Sequence, residues 1–396
     1  MTRLLRETME EWAGQAEVPH DLADRALRRR RRRGLLPAGA ALLAAAVIAA
    51  VAVFVTVQPP GPVLPAVTVT LPPRPSPAPT DVRADPDHGR PTKLVAAGNL
   101  AVGAYYTLRR EKGENGLDHV RRTWHLYDPR TDSYEETPWA WVDVAPGMRV
   151  AAVVQGDLLG DRIGVIDLDT RQFLSWIQLG RRAGHVAWSP DGTKLLATTY
   201  SSYPDELPTG GVAWRRKDSP RTGYYLIDVP TGRAEHHALP PLPGTDGPPS
   251  NSNGRQDLGW SLDGSLIWGP TIDISPERVY YGLDGRPAEP PPGEAFNRHG
   301  ESKISPDGRL ELGPDGLPTA IIERRTGKVA GSQNVLQLIG WADDEHVIAL
   351  GCAGGCENEF RNGLVLVSVD GRTTVPLTGV QESQEDGSWR WVLTPR

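Results

Sequence analysis

The chain has 396 residues, with 43 Gly, 37 Pro, 2 Cys and a formal net charge of −6. So much Gly and Pro excludes an architecture of long helices and points to many tight turns, while the length allows one large domain with extensions. The charge is uneven: residues 1–33 hold nine Arg against six acids, leaving about −9 for the rest, which excludes a basic nucleic-acid-binding domain.

Taken in order, residues 1–33 form an Arg-rich tail. Leu5, Met9, Trp12 and Ala16 fall on one helical face ahead of the run Arg28–Arg33. Such a stripe suits a tail resting on a bilayer, or a docking helix for a cytoplasmic protein. Leu35–Val57 is then 23 residues without a charge, enough at ~1.5 Å per residue to cross a hydrocarbon core of ~30 Å. The pattern predicts one transmembrane helix over 34–57. Six arginines precede it and none follows closely, so the N-terminus is expected in the cytoplasm and the bulk outside. A cleaved signal peptide is the alternative, although no small-x-small site follows the apolar run. Residues 58–91 hold eleven prolines and read as a Pro-rich extracytoplasmic linker.

From 92 to 396 two hairpin patterns alternate. The first is fullest at Trp188-Ser189-Pro190-Asp191-Gly192 before Leu195-Leu196-Ala197, where Pro190 and Gly192 set a tight turn between apolar strands. Its echoes are Trp260-Ser261-Leu262-Asp263-Gly264, Ser305-Pro306-Asp307-Gly308, Trp341-Ala342-Asp343, Val144-Ala145-Pro146-Gly147 and Gly98-Asn99. The second reads Ile227-Asp228-Val229-Pro230-Thr231-Gly232, with weaker copies at Tyr127-Asp128, Ile166-Asp167, Leu283-Asp284, Ile322-Glu323 and Val369-Asp370. Six of each give six four-stranded units. The expectation is an all-β, six-bladed antiparallel propeller, with the strand Ser388–Leu393 closing the ring on an N-terminal blade.

Trp-Ser-Pro-Asp-Gly before an apolar strand, followed by Ile-Asp-x-x-Thr-Gly, resembles the repeats of TolB-like propellers and their WD-repeat relatives. The resemblance covers roughly residues 92–396. It implies a fold and says almost nothing about chemistry. With Lys making only 6 of the 43 basic residues, and Ala, Gly and Pro abundant, composition points to a GC-rich, actinobacterial genome.

Three links between second and third strands are long: Arg109–Arg122, Ser201–Gly223 and Gly351–Gly363. Long loops in a compact domain are usually functional or disordered. They place Arg109, Arg110 and His119, then Tyr203, Asp205, Glu206, Trp214, Arg215, Arg216 and Lys217, then Glu357, Glu359 and Arg361 on one face. Aromatic anchors with both charge signs suit a binding surface; the alternative is that these charges pair with one another. The segment Pro204–Lys217 is expected to be dispensable for folding. Cys352 and Cys356, in Cys-Ala-Gly-Gly-Cys, are expected to form a disulfide on the oxidising side of the membrane, with free thiols as the alternative. Asp167-Leu168-Asp169 and Asp343-Asp344-Glu345-His346 match no calcium loop, and Asp191, Asp263 and Asp307 read as turn caps. No nucleophile elbow, zinc helix, P-loop or dinucleotide fingerprint occurs, so no catalytic residue, metal or cofactor is expected.

These readings converge on a single-pass protein of the cytoplasmic membrane. Its propeller is expected to act as a noncatalytic binding module for an envelope protein, peptide or glycan. The alternative is a transmembrane regulator whose propeller senses outside while residues 1–33 dock a partner such as a sigma factor. A hydrolase with its site on the loop face is the third class.

Overall fold

The computed structural model describes residues 68–396, apart from 114–115, 209–219, 241–254, 271–277, 298, 357 and 384–385. The tail, the apolar run 34–57 and the start of the linker lie outside the described residues, as do Trp214, Arg215, Arg216, Lys217 and Glu357. Among the described residues every regular element is a strand, and no helix is long and apolar enough to cross a membrane.

The fullest repeat shows why the strands form. Lys194–Tyr200 is buried along nearly its whole length because a sheet neighbour covers each of its faces. Its hairpin turn is tied by side chains: Ser189 Oγ donates to Asp191 Oδ1 at 2.5 Å, and accepts the Lys194 N–H at 2.9 Å. The same pair of bonds recurs at Ser261 with Asp263 and Leu266, and at Ser305 with Asp307 and Leu310. Gly192, Gly264 and Gly308 close these turns at φ of 71°, 71° and 76°, which an L side chain rarely adopts. The Ser261 hydroxyl, helped by the Ser265 N–H, holds the Asp263 carboxyl below its usual range.

The strands assemble into five sheets of seven, seven, four, three and five strands. Four sheets, not six, therefore reach the strand number of a full blade. Two expected blades are merged because Phe173–Trp188 runs on for 16 residues. Its first part pairs with Gly160–Asp167 and its last part with Lys194–Tyr200. A third unit falls short where Ile304 stands in place of the motif Trp; that segment makes only isolated bridges, such as Ile304 with Glu311. Ring closure is as expected: Trp389–Pro395 pairs antiparallel with Leu100–Thr107. Antiparallel sheets packed face to face and closed by the C-terminal strand make this a β-propeller.

The motif tryptophans join one unit to the next. Trp260 Nε1 donates to Ala187 O at 3.1 Å, Trp341 Nε1 to Lys303 O at 3.0 Å, and Trp188 Nε1 to Asp143 O at 3.3 Å. Asp143 and Ala187 lie on the strands Trp141–Val144 and Phe173–Trp188, and Lys303 lies in the segment of isolated bridges before Leu310. Trp260→Phe removes both the donor and one ring of the buried indole, so it is expected to cost at least about 1 kcal/mol in urea unfolding. An unchanged midpoint would show that this joint contributes nothing to stability.

Two expectations change. Arg109–Arg122 is not a loop: the strands Leu100–Lys112 and Leu117–Asp128 continue almost to its tip as one long hairpin. The part of the Pro-rich stretch that is described lies against the sheets. Val69 is buried with its N–H on Pro230 O at 2.8 Å, and Val82–Arg83 pairs with Ala96–Ala97.

Candidate functional site

The long first hairpin gives the third loop something to pair with. Glu206–Pro208 adds to it as a strand opposite Leu117–His119. Tyr203 Oη donates to Val120 O at 2.6 Å, and the Val120 N–H donates to Asp205 O at 3.0 Å. Beneath this pairing, Asp205 is fully buried between Arg122 and Arg255, whose side chains are 9% and 8% exposed. Arg255 reaches Asp205 at 2.8 Å and Asp257 at 2.9 Å, and Tyr200 Oη donates to Asp257 Oδ1 at 2.7 Å. The Trp141 ring lies 4.5 Å from the Arg255 guanidinium and 5.3 Å from that of Arg122. Burial alone would raise the Asp205 carboxyl, but Arg255 and Arg122 outweigh it and hold the group below its usual range. This is a clasp, with its charges spent on one another.

Beside the clasp a cavity of about 1290 Å³ opens on the same face. Tyr106, Trp124, Trp141, Phe360 and Trp391 supply aromatic wall, and Glu301, Asp315 and Glu359 supply carboxylates. Its rim comes from links between second and third strands (Asp315 to Leu317, Glu359 to Asn362) and from links between units (Leu336, Gln337, Gln381, Ser383). Asn297 orders one wall: its Oδ1 accepts the N–H groups of His299 at 2.8 Å and Glu301 at 3.1 Å. His299 Nε2 then lies 2.9 Å from Gln337 Oε1, and its ring 6.1 Å from that of Trp391. Arg390 is held by two backbone carbonyls, those of Trp389 at 3.0 Å and Ser383 at 2.8 Å. Glu301 on this wall is half-buried, and loss of hydration and then repulsion from Asp143 push its carboxyl up to about 7; loss of hydration does the same to half-buried Asp143.

The residues singled out from sequence separate into three groups. Tyr203, Asp205, Glu206, Arg110 and His119 are brought together, but largely to satisfy one another: His119 is 3.6 Å from Glu206, and Arg110 is 3.8 Å from Asp118. Arg109 is exposed on the hairpin. Of the sixth loop, Glu359 lines the cavity while Arg361 lies 3.7 Å from Glu382 on its flank. Cys352 and Cys356 stand in disulfide geometry with Cα atoms 5.1 Å apart. Among the described residues no group of three or more His, Cys, Asp or Glu is placed to hold a metal ion.

Sequence reading missed Arg122, Arg255, Asp143, His299, Glu301 and Trp391. A signal was present. Three residues before the motif Trp position stand His185, Asp257 and Glu301, and strand alternation puts that position on the opposite face from the Trp. Polar residues recurring there mark a wall that faces a channel rather than a neighbouring sheet.

No protein-family model matches the chain, and no curated protein matches it. Among solved structures it is similar to TolB from Acinetobacter baumannii, at 16% identity and TM-score 0.36 over 73% of this chain. That match spans 66% of the TolB chain, just under two thirds of its length. Kuenenia stuttgartiensis hydrazine synthase matches at 11% identity and TM-score 0.32, over 63% of this chain and 69% of that one. The Cps50 (Swd1) β-propeller domain of Myceliophteria thermophila matches at 11% identity and TM-score 0.34, over 74% and 90%. Likenesses at this level carry no argument about function, and the propeller assignment stands on strand pairing and ring closure.

Proposed function

We propose that this protein is a noncatalytic binding module that holds an envelope protein, peptide or glycan at the mouth of its propeller channel. In this reading Leu35–Val57 anchors it in the cytoplasmic membrane, residues 1–33 stay inside, and the propeller lies outside.

The observation that carries the proposal is the cavity of about 1290 Å³, walled by aromatic rings and rimmed by loop residues. A pocket of this size with a few convergent polar groups is the usual form of a binding site. Large aromatic faces supply contact area at little conformational cost. The Cys352–Cys356 pair in the sixth loop accords with an oxidising compartment. A photo-crosslinking residue at Phe360 of the full-length chain, in its native membrane, is expected to capture the partner. Trp391→Ala in that background is expected to reduce the capture about tenfold or more. Undiminished capture would move the site off this face.

A further inference from the structure

We propose that the Cys352–Cys356 disulfide is a reversible redox site: a dithiol reductant opens it, and opening it loosens the cavity rim at Glu359–Asn362. These are the chain's only two cysteines, so opening yields two thiols with no third to shuffle with. The bond joins residues four apart in sequence, within the link that follows His346–Gly351. Ala353, Gly354 and Gly355 inside the ring are exposed, and a Cβ on either glycine would meet no atom within 4 Å. A thiol reagent can therefore approach from that side, and exposed disulfides are the ones that exchange. Disulfides that hold a domain together close long loops instead. The sixth sheet does not depend on this one, because His346–Gly351 pairs along its whole length with Gly363–Ser368.

Beyond Cys356 the same link enters the cavity wall with Glu359, Phe360 and Asn362. Short-range bonds shape that turn: Asn358 Oδ1 accepts the Phe360 and Arg361 N–H groups, each at 2.8 Å, and Asn362 Nδ2 donates to Glu359 O at 2.7 Å. The Ser383 N–H, on the neighbouring rim segment, donates to Phe360 O at 2.7 Å. Cys352 ties the ring to this turn, its Sγ lying 3.4 Å from Arg361 O. In the disulfide that sulfur has no proton to give. As a thiol it becomes a donor whose acceptor is already in place. Cys352 thus has a partner in each redox state, Cys356 when oxidised and Arg361 O when reduced. Cys356 has no such second partner among the described residues, so opening releases it together with the two glycines. A longer stretch of free chain costs more to order, and that cost falls on the rim residues that follow. The exchange balances between the two dithiols. A reductant thiolate attacks Cys356 Sγ and forms a mixed disulfide, while Cys352 leaves, takes up a proton and donates to Arg361 O. The reductant's second thiolate then displaces Cys356, which is protonated in turn. The reductant ends as a disulfide, and the two cysteines have gained two electrons and two protons.

The consequence for binding rests on the reading of the cavity given above, so the test follows the rim and the partner separately. Full-length protein in detergent is held in excess dithiothreitol or in its oxidised form. Thiols are counted by alkylation and mass spectrometry, and hydrogen exchange is followed at Phe360 and Arg361. Reduction is expected to yield two alkylated cysteines and to speed exchange at these amides about tenfold, with the rim segment Asp315–Leu317 unchanged. Cys352→Ser combined with Cys356→Ser is expected to exchange at the fast rate in both buffers. Thiols that fail to form in excess dithiothreitol, or exchange that is the same in both buffers, would overturn the inference. In the native membrane, capture of the partner from Phe360 is expected to fall about fivefold on reduction, the cost of ordering a freed rim side chain. In the double variant it is expected to be low and indifferent to the buffer. Undiminished capture by the reduced wild type would overturn control of binding by the disulfide. Should Trp391→Ala still lose the crosslinked partner in any of these cases, the binding face stands and only its redox control falls.

Discussion

Asp205→Ala is expected to lower the unfolding free energy by about 3–5 kcal/mol. The carboxylate is fully buried and faces two guanidiniums, each under a tenth exposed. Removing it leaves Arg122 and Arg255 close together without a shared anion, and that like-charge contact is then uncompensated. Arg255 retains Asp257 at 2.9 Å, but Arg122 has no second acid within ion-pair distance among the described residues. Glu206→Gln serves as the control. It removes a loop acid whose partner, His119, is about a third exposed, so it is expected to cost at most about 1 kcal/mol. Urea unfolding followed by tryptophan fluorescence measures both. A loss below about 1 kcal/mol for Asp205→Ala would mean that water or neighbouring groups replace the carboxylate, and the clasp would then be incidental.

The same clasp changes what deletion of the third loop tests. Read as a loop, Pro204–Lys217 looked removable without harm to the fold. Asp205 lies inside that segment and under the first hairpin, so deletion removes a structural anion along with any binding surface. Loss of partner capture after such a deletion does not separate the two effects, whereas Trp391→Ala on the cavity wall does.

How much of this was legible follows from the range of each interaction. The Ser-x-Asp turns were legible because every bond that defines them lies within five residues, and the side chains that make them are in the motif itself. Ring closure was legible because an edge strand left open at each end has one obvious partner. The clasp was not. Arg122 and Asp205 are 83 residues apart and Asp205 and Arg255 are 50 apart. Arg121-Arg122 on a polar hairpin reads as a solvated charge pair until the third loop is laid over it. The merged sheet was missed for a different reason. Gly180-Arg181-Arg182 looks like a break between units, yet two arginines are tolerated in an extended strand with their side chains in solvent, so Phe173–Trp188 never turns out of the sheet. Glu301 was overlooked because its repeat lacks the Trp that marks the others, which hid the register placing it beside His185 and Asp257 as a channel-facing residue.

That register leads to the second large effect, which appears in the pH dependence of stability. Burial, with Asp143 opposite, raises the Glu301 carboxyl from 4.5 to about 7. A carboxyl raised on folding contributes stability that is fully present below its unfolded value and lost as pH rises through its folded value. The window is therefore roughly pH 4.5 to 7. Across it Glu301 is expected to withdraw on the order of 2 kcal/mol, with Asp143 acting in the same direction. Other groups titrate nearby with the opposite sign. Burial holds His185 and His236 down to about 4, so their contribution is lost as pH falls from 6.5 toward 4. Arg130 holds Asp128 at about 2, which matters only in stronger acid. The wild-type curve alone is thus a sum of opposing slopes, and the difference between wild type and Glu301→Gln isolates the term. His299, two residues away in the same connecting segment and bonded to Gln337, is unchanged by that substitution. At pH 8 Glu301→Gln is expected to be the more stable protein by on the order of 2 kcal/mol, and at pH 4.5 the two curves are expected to meet. If Glu301→Gln is instead less stable at pH 8, the Glu301 carboxylate already has a counter-charge in the unliganded protein, and the account of an unpaired acid in this channel is wrong.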